Sequence, residues 1–431
     1  FSQFLIIFYS DEVGLSPVAI GTLIILTRVF DALNDPVMGI IADRTRSKHG
    51  RFRPWLIWMI VPYMAFGVLT FTAPDFSDTG KLVYAYVTYT VVGLVYTAIN
   101  IPYGALMGVI TSNSIMRTQL ASFRFYGAYL AVNLVNISIL YLVSKLGGGD
   151  DGIGYQRAMM VYSVLAGLLF FVCFKTTKER VTFPRYENAK IKEDLADLLR
   201  NKPWLIICAT GILSLIWITL KGASLLYFMK YFVEANDKTI TSFLFWGGIA
   251  TMAGVYFTSH VEKLFGGKRN AFLILTLGAG LVLIANYFVS SSDLVLIFTV
   301  HVVSSFLSGP MMPLFWAMIA DTADFAEWKF GRRFTGLVFS AGTLSNKMGW
   351  AIGSAFTAYT LAYFGYEANV MQSAESLSGI RLLMSFGPAM IAVLAAMMTL
   401  AYSITPALSR QIEAELSDRR RKARKEYLAN G

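Results

Sequence analysis

Four polar residues lie within eight positions of an otherwise apolar stretch, "TRVFDALNDPVMG", at residues 27–39. On a helix, Arg28, Asp31, Asn34 and Asp35 form one polar stripe, because positions three, four and seven apart share a face. Two carboxylates one helical turn apart repel each other, so a proton or a bound cation must neutralise them. Small hard cations prefer oxygen ligands, which the carboxylates and the Asn34 carbonyl supply. The stripe therefore predicts a cation or proton site.

Two residues elsewhere in the chain could complete this site. Thr97 is a candidate hydroxyl ligand from another helix, and Lys347 is a candidate countercharge from the other half of the chain. A lysine there could hold the carboxylates when the cation is absent, which would couple ion binding to the approach of the two halves. The alternative is a static salt bridge among Arg28, Asp31, Asp35 and Lys347. We favour the mobile cation, because static pairs seldom justify several charges at membrane depth.

The stripe lies in a chain with the composition of a membrane protein. Of the 431 residues, 55% are apolar and 15% are charged, whereas soluble domains average about 25% charged residues. Apolar runs of roughly 20 residues, the length of a membrane-crossing helix, recur along the chain. A charge at the bilayer centre costs at least about 2.5 kcal/mol, so the stripe must face the bundle interior or a water-filled cavity.

The positions of the apolar runs predict an all-α membrane protein of twelve helices. Open sheet edges cannot be satisfied in hydrocarbon, which leaves a helical bundle. The spans are predicted at 1–10, 17–43, 54–73, 82–110, 120–145, 157–174, 203–232, 240–261, 270–289, 293–320, 334–363 and 380–404. The first of them is too short to cross a bilayer, so we expect a truncated first helix.

The net charge of +10 reports membrane topology rather than nucleic-acid binding. These spans place most basic loops, the central loop and the C-terminal tail on one side, and basic loops stay cytoplasmic. Cys173 and Cys208 fall inside spans, and the three histidines are scattered, so no disulfide framework or metal site is predicted. Lys221 and Lys230 also lie in a span; Lys230 can snorkel to a helix end, and Lys221 has no assigned role.

A long polar interruption separates the first six spans from the last six. The predicted division is an N-terminal six-helix bundle at 1–175, a cytoplasmic linker at 176–202, a C-terminal six-helix bundle at 203–405 and a basic tail at 406–431. "IPYGALMGVITSNSIMRTQLASFRF" in the first half weakly parallels "MPLFWAMIADTADFAEWKFGRRFTGLVFS" in the second. Two related six-helix halves are the architecture of major-facilitator transporters, whose substrate site lies near the bilayer midplane.

Charged residues at the cytoplasmic ends of the spans form a candidate gate. Surface ion pairs are worth only about 0–1 kcal/mol each, so a latch of such pairs could open during a cycle. For Asp43 and its basic loop, a plain positive-inside loop is an equal alternative. The candidate gate residues are Asp43, Arg44, Arg269, Asp321, Asp324, Glu327 and Arg333.

Several polar and aromatic residues at membrane depth have the chemistry of a sugar site. Sugars offer hydroxyl groups and apolar ring faces, so a site for them needs amides, charged forks and aromatic platforms. Arg124 is of particular interest because its planar guanidinium can bind two adjacent hydroxyls or a carboxylate. The candidates are Tyr96, Asn100, Arg124, Trp316, Asn346 and Trp350.

Motifs along the whole chain resemble the glycoside-pentoside-hexuronide:cation symporters, the group that contains the melibiose permease. They are "FYSDEVGL", "RVFDALNDPVMG", "ADRTRSKHGRFRPW", "YTAINIPYGAL", "GGGDDGIGYQ", "ADTADFAEWKFGRRFTG" and "NKMGWAIGSAF", in the family's order. The resemblance implies a major-facilitator fold and sugar uptake coupled to Na+, Li+ or H+.

Residue by residue, the resemblance assigns roles to positions of this chain. It implies that Asp31, Asn34, Asp35 and Thr97 bind the cation and that Lys347 is the family's lysine on the eleventh span. It also implies that Asn100, Arg124 and Trp316 line the sugar pocket. Asn100 stands where the melibiose permease has an aspartate, and Gly104 replaces an aromatic residue. Galactoside specificity does not follow, and the motifs look more like those of presumed xyloside carriers.

The sequence thus predicts a monomeric, multi-pass carrier of the bacterial inner membrane with a cytoplasmic C-terminus. It would import a small sugar or glycoside by alternating access, with a monovalent cation and without a cofactor. One alternative is a lysolipid or amphiphile carrier on the same fold, whose pocket should be more apolar. Another is a polytopic membrane enzyme that uses Asp31 and Asp35, although no nucleophile or metal set accompanies them. A sensor that binds sugar without moving it is a third.

Overall fold

The structure is a computed structural model and describes residues 5, 8–181, 191–367 and 370–429. At some helical positions, Arg28 among them, only the backbone is described. Helices make up the regular structure of these residues, and none of the described residues lies in a strand. The predicted all-α fold is confirmed.

The chain forms two compact units. The first takes its described residues from 1–111, 130–182 and 334–340. Its elements are a π-helical turn at Phe8–Glu12, α1 (Pro17–Arg44), α2 (Arg53–Trp58), α3 (Ile60–Thr70), α4 (Asp78–Ile110), the later part of α5 (Ser114–Gly147) and α6 (Asp151–Thr176). Its core is an apolar cluster that includes Phe8, Tyr9, Phe71 and Tyr155.

The second unit takes its described residues from 112–129, 183–333 and 341–431. After the start of α5 it contains α7 (Ile191–Arg200), α8 (Lys202–Tyr227), a π-helical turn at Phe228–Phe232, α9 (Asp237–Tyr256), α10 (Thr258–Leu264), α11 (Lys268–Leu283) and α12 (Ala285–Phe288). It continues with α13 (Leu294–Ser308), α14 (Met311–Phe330), most of α15 (Thr335–Tyr363), α16 (Ala374–Met384), α17 (Phe386–Leu400) and α18 (Pro406–Ala429).

Many helices begin where a short polar side chain caps the first turn. Such a cap satisfies one of the backbone N–H groups that have no partner inside the helix. Each of these caps accepts a hydrogen bond from the backbone N–H three residues later. The capping residues are Ser16, Ser77, Asp150, Asn201, Asn236, Asp293 and Ser373.

The helices coincide with the spans predicted from the sequence. From residue 17 onward, each predicted span corresponds to one helix or to two consecutive helical segments. By length and composition, seven described helices could cross a membrane, or eight if one bent pair counts as a single span. Large apolar side chains such as Leu33, Val61 and Ile137 are more than two-thirds exposed. Exposure on this scale suits lipid contact.

The same backbone motif occurs once in each unit. In the first unit, Val13 N–H donates to the Phe8 carbonyl at 3.1 Å, and Leu15 N–H donates to the Tyr9 carbonyl at 2.9 Å. Gly14 lies between them with φ 78°. A left-handed residue of this kind is strained unless it is glycine.

In the second unit, Val233 donates to Phe228 at 3.0 Å and Ala235 donates to Met229 at 2.9 Å. Glu234, with φ 55°, takes the place of the glycine. Both motifs pack into the core of their unit and precede a capped helix.

Candidate cation, sugar and gate residues

The best-defined part of the predicted cation site is the contact of Asp35 with Thr97. Asp35 on α1 is fully buried, and its Oδ1 accepts a hydrogen bond from the Thr97 hydroxyl on α4 at 3.2 Å. Thr97 is itself only 2% exposed. The two residues meet because α1 and α4 pack against each other along the first unit. The structure therefore brings together the carboxylate and the hydroxyl that the sequence suggested.

Asp31 lies one helical turn before Asp35 and is partly exposed. A Cβ atom at Gly93 of α4 would lie 3.3 Å from Asp31 Oδ1, so the glycine leaves room for this carboxylate. Gly93 precedes Thr97 by one turn, so the two carboxylates face α4 at successive turns. Asn34 is also partly buried, whereas the side chain of Arg28 lies outside the described residues.

The predicted sugar residues of the first unit lie on α4 beside Thr97. Tyr96 is 49% exposed, and Asn100 follows it by one turn and is partly buried. Both face outward from the core cluster of this unit more than Thr97 does. They are therefore available to a ligand, as a sugar site requires.

The second unit holds the other predicted sugar residues. The Arg124 guanidinium lies over the ring of Trp316, with 5.4 Å between its carbon and the ring centroid. A cation over an aromatic face is an attractive arrangement. Asn346 Oδ1 is buried and has no hydrogen-bond partner among the described residues. Trp350, one turn later, is 52% exposed, and Lys347 is partly buried.

Asp43 forms the candidate gate contact of the first unit. Its two carboxylate oxygens accept hydrogen bonds from the backbone N–H groups of Gly336 at 2.8 Å and Leu337 at 3.0 Å. These N–H groups belong to the first turn of α15, where a carboxylate complements the helix dipole. A Cβ atom at Gly39 would lie 2.7 Å from the Gly336 carbonyl oxygen. The contact thus requires glycine, because any larger residue would push the backbones apart.

The second unit has a buried ion cluster in place of a single carboxylate. Asp321 accepts from Lys268 at 2.6 Å, from Ser114 at 3.0 Å and from Arg117 at 3.2 Å. Arg117 also contacts Asp324. These groups need one another, because an unpaired buried charge is strongly destabilising.

The cluster extends to the C-terminal helix. Arg333 contacts Asp324 and pairs with Glu327 at 2.9 Å. Arg420 of α18 pairs with Glu327 at 2.6 Å. The ion cluster therefore joins the start of α5, the start of α11, α14 and α18 within the second unit.

The other two predicted gate residues are Arg269 and Arg44. Arg269 donates to the Tyr402 carbonyl at 3.4 Å, while its neighbour Lys268 holds Asp321. Arg44 is exposed at the end of α1. Arg117, Lys268 and Arg420 were not candidates from the sequence. For Arg117 a signal existed, since it is the basic residue that follows the polar turn in the first of the two parallel stretches.

Glu262 on α10 lies at the edge of this cluster. It is only 8% exposed. Burial raises the pKa of its carboxyl above the usual value, although Lys268 and the Thr118 hydroxyl act in the opposite direction. The group is thus easier to protonate in the folded protein than in the unfolded chain.

Comparisons with known proteins also indicate a transporter. A sequence profile of the family described as MFS/sugar transport protein matches residues 1–406. The inner membrane symporter YicJ of Escherichia coli K12 is 32% identical over 430 residues, covering 99% of this chain and 92% of that protein. The isoprimeverose transporter of Lactiplantibacillus pentosus is 34% identical over 403 residues, covering 91% of this chain and 84% of that protein.

A solved structure shows the same fold. The crystal structure of the Escherichia coli fucose:proton symporter FucP matches with a TM-score of 0.68 and 13% sequence identity. The match covers 94% of this chain and 95% of that one. At this low identity the likeness concerns the fold alone.

Proposed function

Because the chain belongs to the MFS/sugar transport protein family, we propose that it is a sugar/cation symporter of the bacterial inner membrane. Its relatives are named as symporters and as an isoprimeverose transporter. The chain is a multi-pass transporter and not an enzyme. We further propose that it acts as a monomer, imports a glycoside or pentoside by alternating access, and has its C-terminus in the cytoplasm, on the side of the basic loops.

The main support for the proposed cation site is that the Asp35 carboxylate is fully buried and accepts a hydrogen bond from the Thr97 hydroxyl. Asp31 one turn earlier and Asn34 add oxygen ligands on the same helix, which suits Na+ or Li+, while either carboxylate could instead carry H+. Lys347 and Arg28 are the proposed countercharges that respond when the cation leaves. Cation and sugar would each favour binding of the other, giving reciprocal coupling.

The proposed sugar ligands combine polar side chains with aromatic rings, and one of the rings, Trp316, is buried at 7% exposure. Tyr96 and Asn100 belong to the first unit, and Arg124, Trp316, Asn346 and Trp350 belong to the second. The stacked Arg124 and Trp316 pair offers a fork for hydroxyl groups beside an apolar platform, which matches the two kinds of surface on a sugar. Asp43 and the ion cluster of the second unit are the proposed gate contacts.

The test replaces Asp35 by Asn in protein reconstituted into liposomes. Isoprimeverose is the first sugar tested, within a panel of glycosides, and uptake is driven by a Na+ gradient at fixed pH or by a pH gradient without Na+. We expect Asp35→Asn to lose accumulation against a gradient and to retain part of its equilibrium exchange, because the sugar site remains. Accumulation that survives the change would remove Asp35 from the mechanism.

The control is Asp75→Asn, which neutralises an exposed carboxylate in the loop before α4. This variant should accumulate sugar as the parent protein does. The ion gradient that drives uptake in the parent protein then identifies the coupling cation. Uptake driven by both gradients would mean that the site accepts either ion.

A further inference from the structure

A second buried polar group, unrelated to Asp35, lies inside the second unit. Lys221 on α8 is 8% exposed, and its Nζ donates to Ser305 Oγ at 3.0 Å and to Ser304 Oγ at 3.2 Å on α13. Ser304 in turn donates its own proton to the Ala279 carbonyl of α11 at 3.0 Å. At Ser304, therefore, the lysine must be the donor.

The number of hydrogen bonds indicates a neutral amine. An ammonium carries three N–H donors, whereas a neutral amine carries two donors and a lone pair. The described residues offer Lys221 two acceptors, the hydroxyls of Ser304 and Ser305, and no salt bridge. An ammonium would leave one donor and its whole charge uncompensated at membrane depth, where a charge is costly. The amine fits the site and the ammonium does not.

A second base faces the same interior. His301 lies one turn before Ser304 and Ser305 on α13 and is 4% exposed. Its ring stacks on Phe243 of α9, with 4.0 Å between centroids. A Cβ atom at Gly247 would lie 2.0 Å from His301 Nε2, so the ring is pressed against the α9 backbone.

Among the described residues, the hydrogen bonds of Lys221 go to Ser304 and Ser305 and not to a carboxylate. The helix α15, whose Gly349 and Gly353 pack on α8, carries the like-charged Lys347. From α9, Phe243 and Gly247 contact His301, and from α11 the Ala279 carbonyl accepts from Ser304. On α16, Arg381 donates to the Tyr287 carbonyl and stacks on Phe232. The acidic residues of α14 are engaged in the ion cluster. Two like-charged bases in one interior disfavour double protonation.

We propose that Lys221, Ser304 and Ser305 form a proton-binding site inside the second unit, which holds a neutral amine when α8 and α13 are in contact. When these helices separate and water enters, the lone pair of the amine binds a proton, and renewed contact releases it. The site would make the transport cycle depend on pH independently of Asp35. This inference rests on the proposed function, because a cycle of opening and closing is needed to expose the amine.

The protonation state is tested first, without any sugar. Protein with ¹⁵N-labelled lysine side chains in lipid nanodiscs should show one neutral amine signal at pH 8, and Lys221→Met should lack that signal. Lys230→Met, which changes an exposed lysine on the following π-helical turn, should keep it. An ammonium signal for Lys221 at pH 8 would overturn the proposal.

The role in transport is tested by equilibrium exchange of isoprimeverose, or of whichever panel sugar the protein exchanges, between pH 5.5 and 9.5. A single proton-linked step changes a rate by at most about tenfold per pH unit. We expect such a dependence in the parent protein and in Asp35→Asn, and its loss in Lys221→Met. Lys230→Met should behave as the parent protein does. An unchanged pH profile in Lys221→Met would refute this proposal, even if the result for Asp35→Asn supports the proposed symporter function.

Ser305→Ala provides a second variant if Lys221→Met does not fold. Loss of this hydroxyl removes one hydrogen-bond acceptor. The loss destabilises the protonated form of Lys221 more than the neutral form. The midpoint of the pH profile should therefore move to lower pH. A midpoint that stays in place would count against the site as firmly as an unchanged profile in Lys221→Met.

Discussion

The interiors of the two units bury an acid and a base, respectively, and the same backbone motif occurs in both units. The first buries the Asp35 carboxylate against the Thr97 hydroxyl, and the second buries the Lys221 amine against Ser304 and Ser305. In the contacts described, Asp35 accepts from one hydroxyl group and Lys221 donates to two. A hydroxyl can both donate and accept, so it tolerates a neighbour that gains or loses a proton or an ion. Each interior thus suits a group that changes its charge state.

The candidate gate contacts also differ between the two units. The first unit uses one carboxylate, Asp43, on the backbone N–H groups of Gly336 and Leu337. The second unit uses the buried ion cluster around Asp321 and Asp324. A backbone contact depends on close approach of two glycines, whereas an ion cluster depends on every charge being present. The second contact should therefore be the more sensitive to a single substitution.

The largest effect is expected when Arg117 is replaced by Met. Arg117 is 1% exposed and contacts both Asp321 and Asp324. Removing it leaves buried carboxylates short of a partner, which costs about 3–5 kcal/mol. The free energy of unfolding of the detergent-solubilised protein, followed in a denaturant titration, measures this loss.

The control for this substitution is Arg419→Met. Arg419 is a more than half-exposed residue of α18 that lies 3.7 Å from Glu415. An exposed pair of this kind contributes about 0–1 kcal/mol. If Arg117→Met were no less stable than Arg419→Met, the ion cluster would not be the stabilising contact that its burial implies.

The sequence was sufficient to predict the helices and one part of the candidate cation site. Apolar runs of bilayer length predicted the spans, because lipid imposes that length on every crossing helix. The stripe on α1 and Thr97 on α4 were found because charges inside such a run are rare. Whether Asp35 accepts from Thr97 depended on the packing of α1 on α4, which the sequence does not encode locally.

Other parts required the three-dimensional structure. Lys268 stands beside other cations in the sequence and nothing in its local sequence distinguishes it from them, whereas Arg117 had only the weak signal of the two parallel stretches. Lys221 stood out as a charge in a span but had no assigned role, because its partners lie on α13, more than 80 positions away in the chain. The predicted domain boundaries at 175 and 203 remain predictions.

A smaller effect is expected when Glu234, the left-handed residue that follows the π-helical turn of the second unit, is replaced by Gly. Glu234 is exposed and has φ 55°, where a residue with a Cβ atom is strained by about 1–2 kcal/mol. Glycine removes this strain but costs about 0.5–1 kcal/mol in the entropy of the unfolded chain. Glu234→Gly should thus stabilise the protein by up to about 1 kcal/mol in the same titration.

The first unit supplies the reverse experiment. Gly14 has φ 78°, and nothing lies within 4 Å of an added Cβ atom, so Gly14→Ala introduces backbone strain without a clash. It should destabilise the protein by about 1 kcal/mol. Glu234→Ala is the matched control, because it removes the carboxylate and keeps the strain. A gain in Glu234→Ala equal to that in Glu234→Gly would show that charge, and not backbone conformation, separates the two motifs.

The smallest effect concerns the pH dependence of stability at Glu262. Because burial raises the pKa of this carboxyl, the folded protein binds its proton more tightly than the unfolded chain does. The resulting stabilisation is present below the ordinary pKa and is lost as the pH rises through the raised value. Glu262→Gln mimics the protonated carboxyl at every pH. Relative to the parent protein, it should therefore gain stability as the pH rises above the ordinary pKa of a glutamate.

Melting temperatures of the two proteins in detergent, measured as a function of pH, give the difference directly. Glu375→Gln, at an exposed position near the start of α16, is the control and should show no such trend. A Glu262→Gln variant that lost stability relative to the parent as the pH rose would mean that the ionised carboxylate is the stabilising form. In that case Lys268 and Thr118 outweigh burial, and Glu262 belongs to the ion cluster of the second unit.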